Sequence, residues 1–192
     1  EFSYNAGNVI DEKGNNIDES KWLFSAIELI FKDFKERHGF KIKNFNLFGH
    51  SAGGGFVHRY LLFNPNAPVN KSVSANPAFV TLPDSKIEYP FGLKKVPAKK
   101  LNVKSWFNQS MAIVLGENDL DPRTKPLSNG PMAKAQGPNC LTRGKLLFKE
   151  ATIMAKRKKC HLNWELIIAP GVGHDNYKIA PIACNYLFDL KK

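Results

Sequence analysis

Apolar positions along this chain follow two rhythms. Short apolar-rich segments lie at 42–48 (Ile42, Phe45, Leu47, Phe48), 71–75, 111–115 (Met111-Ala112-Ile113-Val114-Leu115) and 164–169. Turn residues such as Asn76-Pro77 and Pro170-Gly171-Val172-Gly173 bound them, so they read as strands. Longer stretches repeat at spacings of three and four and predict helices. One spans about 21–38, with Trp22, Leu23, Ala26, Ile27, Ile30, Phe31 and Phe34 on its apolar face, Ser20 as its cap and Gly39 as its stop. A second follows residue 51, carries Phe56, Val57, Tyr60, Leu61 and Leu62, and ends at Asn64-Pro65. A third covers about 141–159 and turns Leu146, Leu147, Ala151, Met154 and Ala155 inward; the last covers about 180–190, with Pro181 in its first turn. Residues 1–20 read as a polar loop, 81–103 as mostly irregular and 122–138 as a long loop. Helices alternate with strands that are apolar on both faces. The expected class is therefore α/β, a mostly parallel sheet flanked by helices, in one domain over 1–192.

Composition narrows this little. Of 192 residues, 43% are hydrophobic and 23% charged, which excludes disordered and fibrous classes. The longest apolar runs are too short to span a membrane. No basic start followed by an apolar stretch marks a signal peptide, so a soluble protein is expected, cytoplasmic or secreted. The net charge is +11 and the lysines come in scattered pairs, as at Lys94-Lys95 and Lys158-Lys159. Such charge favours anionic surfaces or substrates. With no Walker loop, zinc-finger spacing or aromatic RNA-binding motif, it reads as a solvated surface and no nucleic-acid partner is expected. Cys140, Cys160 and Cys184 have no paired spacing, so neither a metal site nor a disulfide framework is expected, and one disulfide stays an alternative.

The candidate chemistry begins at Gly49-His50-Ser51-Ala52-Gly53, where a strand runs straight into a helix. Serine between two glycines at that junction is the pattern of a nucleophile elbow. The turn is sharp enough to strain the central residue and to bring the flanking glycines together. Ser51 is left at its tip, and the Ala52 N–H is placed to donate to a developing oxyanion. Serine needs a base and a carboxylate that orients the base. Gly116-Glu117-Asn118-Asp119-Leu120-Asp121 follows the strand 111–115, and Gly173-His174-Asp175 follows the strand 164–169. Carboxyl ends of strands are where a parallel sheet gathers its functional loops. His174 is the expected base. His38 ends a helix, His58 lies inside one, His161 precedes a strand, and the His50 ring should point away from the Ser51 hydroxyl. Asp119 is the expected acid and Asp121 the alternative, with Glu117 and Asp84 more remote. The loser of the pair would brace its loop, for instance through Arg123, and Asp175 would order the histidine loop. Phe79, Phe91, Leu127 and Met132 are candidate pocket-wall residues.

Three motifs in order, Gly49–Gly53, Gly116-Glu117-Asn118-Asp119-Leu120-Asp121-Pro122 and Pro170-Gly171-Val172-Gly173-His174-Asp175, resemble the α/β-hydrolase family. The resemblance is strongest to its esterase and polyhydroxyalkanoate-depolymerase-like branch. It runs from the helix before the elbow to the end of the chain. It implies cleavage of a small or polymeric carboxylic ester through an acyl-enzyme, by Ser51, His174 and Asp119, with no metal or organic cofactor. A peptidase or acyltransferase could use the same triad. A hydrolase-like binding protein with weak or no turnover is a third reading, against which the intact order of serine, acid and histidine argues. The family places several strands before the elbow helix, one of whose loops gives a second oxyanion donor. Here only about twenty residues stand in that place, so the chain is expected to be the C-terminal part of the fold, a fragment or a shortened form. A missing donor would cost roughly 3–4 kcal/mol of transition-state stabilisation. An uncovered edge strand would lower solubility.

Overall fold

The computed structural model describes residues 2–96, 101–120 and 130–190. Its centre is a four-stranded parallel sheet in the order β1 (Phe45–His50), β2 (Val69–Ala75), β3 (Met111–Gly116), β4 (Trp164–Ala169). In chain order the helices are α1 (Phe2–Asn5), α2 (Ser25–His38), α3 (Ala52–Phe63), α4 (Val103–Asn108), α5 (Pro131–Ala135), α6 (Cys140–Lys158) and α7 (Asn176–Leu187). The α/β class read from the sequence is the observed one.

Strand β3 is buried along its whole length because helices cover both faces. Met111, Ile113 and Leu115 enter the larger core with Tyr60 and Leu61 of α3, Trp106 of α4 and Leu147 of α6. Ala112 and Val114 point the other way, into a core with Val73 of β2 and Ile179, Ala183 and Leu187 of α7. Strand register then levels the carboxyl ends. His50 pairs with Ala75, Ala75 with Val114, and Val114 with Ile167. The segments after β1, β2, β3 and β4 therefore leave the sheet at one edge, side by side.

Several boundaries differ from the sequence reading, each for a local reason. The run 21–38 is not one helix. Asp18, not Ser20, caps a 3₁₀ turn at Glu19–Lys21, and the chain is extended at Trp22. Trp22 and Phe24 dock on α3, their rings 5.1 and 5.4 Å from Phe63. The remaining helix, α2, buries none of its residues. Ile30 is 64% exposed and Phe34 49%, and with Ile27, Phe31, Phe45 and Leu47 they line an apolar groove beside β1. Residues 1–20 are more than a loop: Ala6, Val9 and Ile10 are buried, and the Asn5 carbonyl accepts from Arg59. Helix α7 starts earlier than expected because Asp175 caps it, leaving Pro181 inside the helix.

Candidate active site

The elbow takes the form its sequence requires. Ser51 stands between β1 and α3 with φ 59° and ψ −116°, which a residue with a β-carbon adopts only under constraint. Its N–H donates to the Ala75 carbonyl (2.9 Å), and its carbonyl accepts from the Gly55 N–H (3.0 Å). A β-carbon on Gly49 would lie 2.3 Å from the Gly53 carbonyl oxygen, so glycine is obligatory there. The steric need is one-sided. A β-carbon on Gly53 would meet only the Tyr4 hydroxyl, at 3.8 Å. The second tight position is Gly54, where a β-carbon would lie 2.3 Å from the Ala75 carbonyl oxygen. That contact seats α3 on β2. Ala52 opens α3, so its N–H is one of the first-turn donors without a helical acceptor.

The acid and histidine loops are sewn together. Glu117 N–H donates to the Ala169 carbonyl (2.9 Å) and Asn118 N–H to the Val172 carbonyl (2.8 Å). The Glu117 carboxylate accepts from the Gly171 N–H at 2.9 Å, which occupies it as a brace. Within this seam Asp119 is 1% exposed, and its Oδ2 accepts from His174 Nδ1 at 2.7 Å. A carboxylate on Nδ1–H leaves Nε2 as the acceptor nitrogen of the neutral ring. Asp175 accepts from the N–H groups of Tyr177 and Lys178, as a helix cap does. Asp84 accepts from the Lys86 N–H in a local turn. Asp121, Arg123 and Leu127 lie outside the described residues. Phe79 is buried against Phe91 and beneath the Arg59 guanidinium, while Met132 is 42% exposed.

Two residues join the site without having been read from sequence as part of it. The His50 ring lies 4.6 Å from the His174 ring. Asn76, buried just past β2, ties three loops. Its Nδ2 donates to His50 Nε2 (3.2 Å) and the Gly173 carbonyl (3.4 Å), and its Oδ1 accepts from the Gly116 N–H (2.8 Å). Its φ of 42° falls where asparagine is better tolerated than most residues. A third addition is chemical: Cys140, buried at the start of α6, lies beside Asp119 and His174, one side-chain atom of each within 4.8 Å of the others.

Beneath the elbow, His58 and Arg59 of α3 are fully buried and hold the segment after β2. His58 Nδ1 donates to the Gly54 carbonyl and Nε2 accepts from the Thr81 N–H, both at 3.1 Å. Burial, and then the Arg59 charge, keep this ring well below the usual histidine range, hence neutral. Arg59 has neutral partners, Thr81 Oγ1 and the carbonyls of Asn5, Gly55 and Phe79, and burial lowers it to about 10.

No protein-family model and no curated protein matches the sequence. Solved structures do. Poly(aspartic acid) hydrolase-1 from Sphingomonas sp. KT-1 is 33% identical with a TM-score of 0.90, over 97% of this chain and 71% of its own. LpqC, the poly(3-hydroxybutyrate) depolymerase from Bordetella parapertussis, is 29% identical with a TM-score of 0.85 and is spanned over 63% of its length. The siderophore hydrolase EstB from Aspergillus nidulans, 15% identical with a TM-score of 0.57, shares the fold.

Proposed function

The chain belongs to the α/β-hydrolase family, and from that premise we propose that it is a serine hydrolase cleaving carboxylic esters through an acyl-enzyme. Ser51 Oγ attacks the ester carbonyl while His174 Nε2 takes its proton. Asp119 holds the proton on Nδ1 and stabilises the imidazolium that forms. The Ala52 N–H donates to the oxyanion; loss of one such donor costs about 3–4 kcal/mol in comparable enzymes. The imidazolium then protonates the leaving alcohol, and water repeats the sequence to release the acid. The observation that carries this reading is the 2.7 Å bond from His174 Nδ1 to Asp119 Oδ2, made by a carboxylate sealed from solvent. In low dielectric such a bond fixes the tautomer firmly. Presteady-state turnover of p-nitrophenyl esters, from acetate to palmitate, tests it. An acyl-enzyme predicts a burst of nitrophenol that Ser51→Ala abolishes; turnover unchanged in Ser51→Ala would refute the mechanism.

A second reading has specific support. The 33% identical relative is a poly(aspartic acid) hydrolase, and this chain carries a net charge of +11. The same triad could cleave amide links of a polyanion drawn in by that charge. Turnover of poly(aspartic acid) whose KM rises steeply with salt would favour it over a neutral ester.

A further inference from the structure

We propose that Cys140, Asp119 and His174 hold a thiophilic divalent cation of the Zn²⁺ or Cd²⁺ type, and that the bound cation switches off the base. The cation site stands on geometry; only its effect on turnover rests on the reading of His174 as the base. One sulfur, one carboxylate oxygen and one imidazole nitrogen lie within 4.8 Å of one another. Bonds of about 2.0–2.3 Å around a tetrahedral zinc ion separate its ligand atoms by about 3.3–3.8 Å, so closing on the ion takes side-chain shifts of roughly 1 Å.

The three donors come from separate, fixed elements. Asp119 stands in the loop after β3 and His174 in the loop after β4, and those loops are hydrogen-bonded together. Cys140 is the first residue of a 19-residue helix whose start is locked by a capping box between Asn139 and Thr142. A sulfur, a nitrogen and an oxygen make a three-ligand set with a fourth position open. The thiolate selects soft and borderline cations over Mg²⁺ and Ca²⁺. Charge also balances. One thiolate and one carboxylate neutralise a divalent ion, which suits a place where Cys140 is 0% and Asp119 1% exposed. The His174 side chain, 25% exposed, marks the way in.

Binding releases one proton, from the Cys140 thiol, and moves no electrons. If Nδ1 ligates the ion, the ring proton shifts to Nε2, which can no longer accept from serine. If Nε2 ligates it, the lone pair the base needs is taken. Either arrangement stops turnover without unfolding the site.

Titration of the whole chain with Cd²⁺, followed by the ultraviolet thiolate-to-metal absorbance, tests the site without reference to catalysis. We expect saturation at about one equivalent, retained when the other two cysteines are replaced together as Cys160→Ser and Cys184→Ser. Cys140→Ser should weaken binding by more than about 100-fold, and His174→Gln, which keeps the thiol, should do so by a similar factor. Zn²⁺ should inhibit ester turnover over the range in which it displaces Cd²⁺. A band that survives Cys140→Ser, one lost in the double variant, or no saturable band would overturn the site; saturation without inhibition would overturn its effect on the base. A chain that binds Cd²⁺ through Cys140 yet turns over no ester would keep the site and refute the hydrolase reading, whereas ester turnover without the band would do the reverse.

Discussion

Ser51 carries a backbone conformation that costs a non-glycine residue on the order of 1–3 kcal/mol. Its two backbone hydrogen bonds and the Gly49–Gly53 contact impose it. Glycine relieves that strain and alanine does not, so Ser51→Gly should unfold at higher denaturant than Ser51→Ala, by the equivalent of about 1 kcal/mol after glycine's entropy is counted. Asp119→Asn should keep the fold and lower kcat by about 10⁴-fold, because the wrong tautomer is presented to serine. Asp121→Asn should leave kcat near wild type; the opposite result would move the acid to Asp121. Asn76→Ala strands the buried Gly116 N–H and should cost about 1–3 kcal/mol in a denaturation curve. These residues differ in how far sequence reveals them. Ser51 sits in a glycine-framed motif, and Asp119 and His174 each follow a strand, so spacing alone points to them. Asn76 looks like any Asn-Pro strand terminator, and its three partners come from distant segments. Cys140 likewise joins Asp119 and His174 only when α6 packs beside β3.

Among the elements, β3 was legible nearly to the residue because a strand buried on both faces is an uninterrupted apolar run, and β4, the end strand, because Trp164 and Leu166-Ile167-Ile168-Ala169 frame the single exposed Glu165. The 21–38 stretch misled. Trp22 and Leu23 continue a helical rhythm in sequence, but the chain is extended at Trp22, and Trp22 and Phe24, two residues apart, dock on α3 ahead of the helix. Pro181 suggested a helix start, while the true start lies at the Asp175 cap, a signal masked by the neighbouring histidine. The elbow helix brings a pH dependence through His58. Its ring is held below its unfolded value of 6.5, so the native state binds the proton less readily than the unfolded chain. Above 6.5 both states are neutral there and the group adds no slope; as pH falls below 6.5 the unfolded state gains the proton and stability declines. Melting temperatures between pH 7.5 and pH 5 should therefore drop, and His58→Gln should flatten that drop. An equal slope in the variant would assign it to other groups.

At the scale of the whole molecule, four aligned strand ends gather the loops that carry Ser51, Asp119 and His174, which lie far apart in the chain. Register does this, which is why the α/β class could be anticipated from the sequence while the strand order and the contacts among loops could not. The outer side of the molecule tells a different story. Helix α2 and the end strand β1 present an apolar groove, and among the described residues no helix is long and apolar enough to cross a membrane. Replacing Ile30 and Phe34 by lysine removes exposed, not buried, apolar area. The double variant should be more soluble and bind less of a hydrophobic dye, with a melting temperature near that of the wild type. A large loss of stability would mean that this face packs more tightly than its exposure indicates. In the proposed mechanism Ser51 is an activated nucleophile served by His174. Labelling of the protein with a fluorophosphonate, followed by mass spectrometry of the modified peptide, tests it most directly. One adduct is expected, on Ser51, lost in Ser51→Ala and strongly slowed in His174→Ala. Absence of labelling in the wild type, or an adduct on another serine, would contradict it.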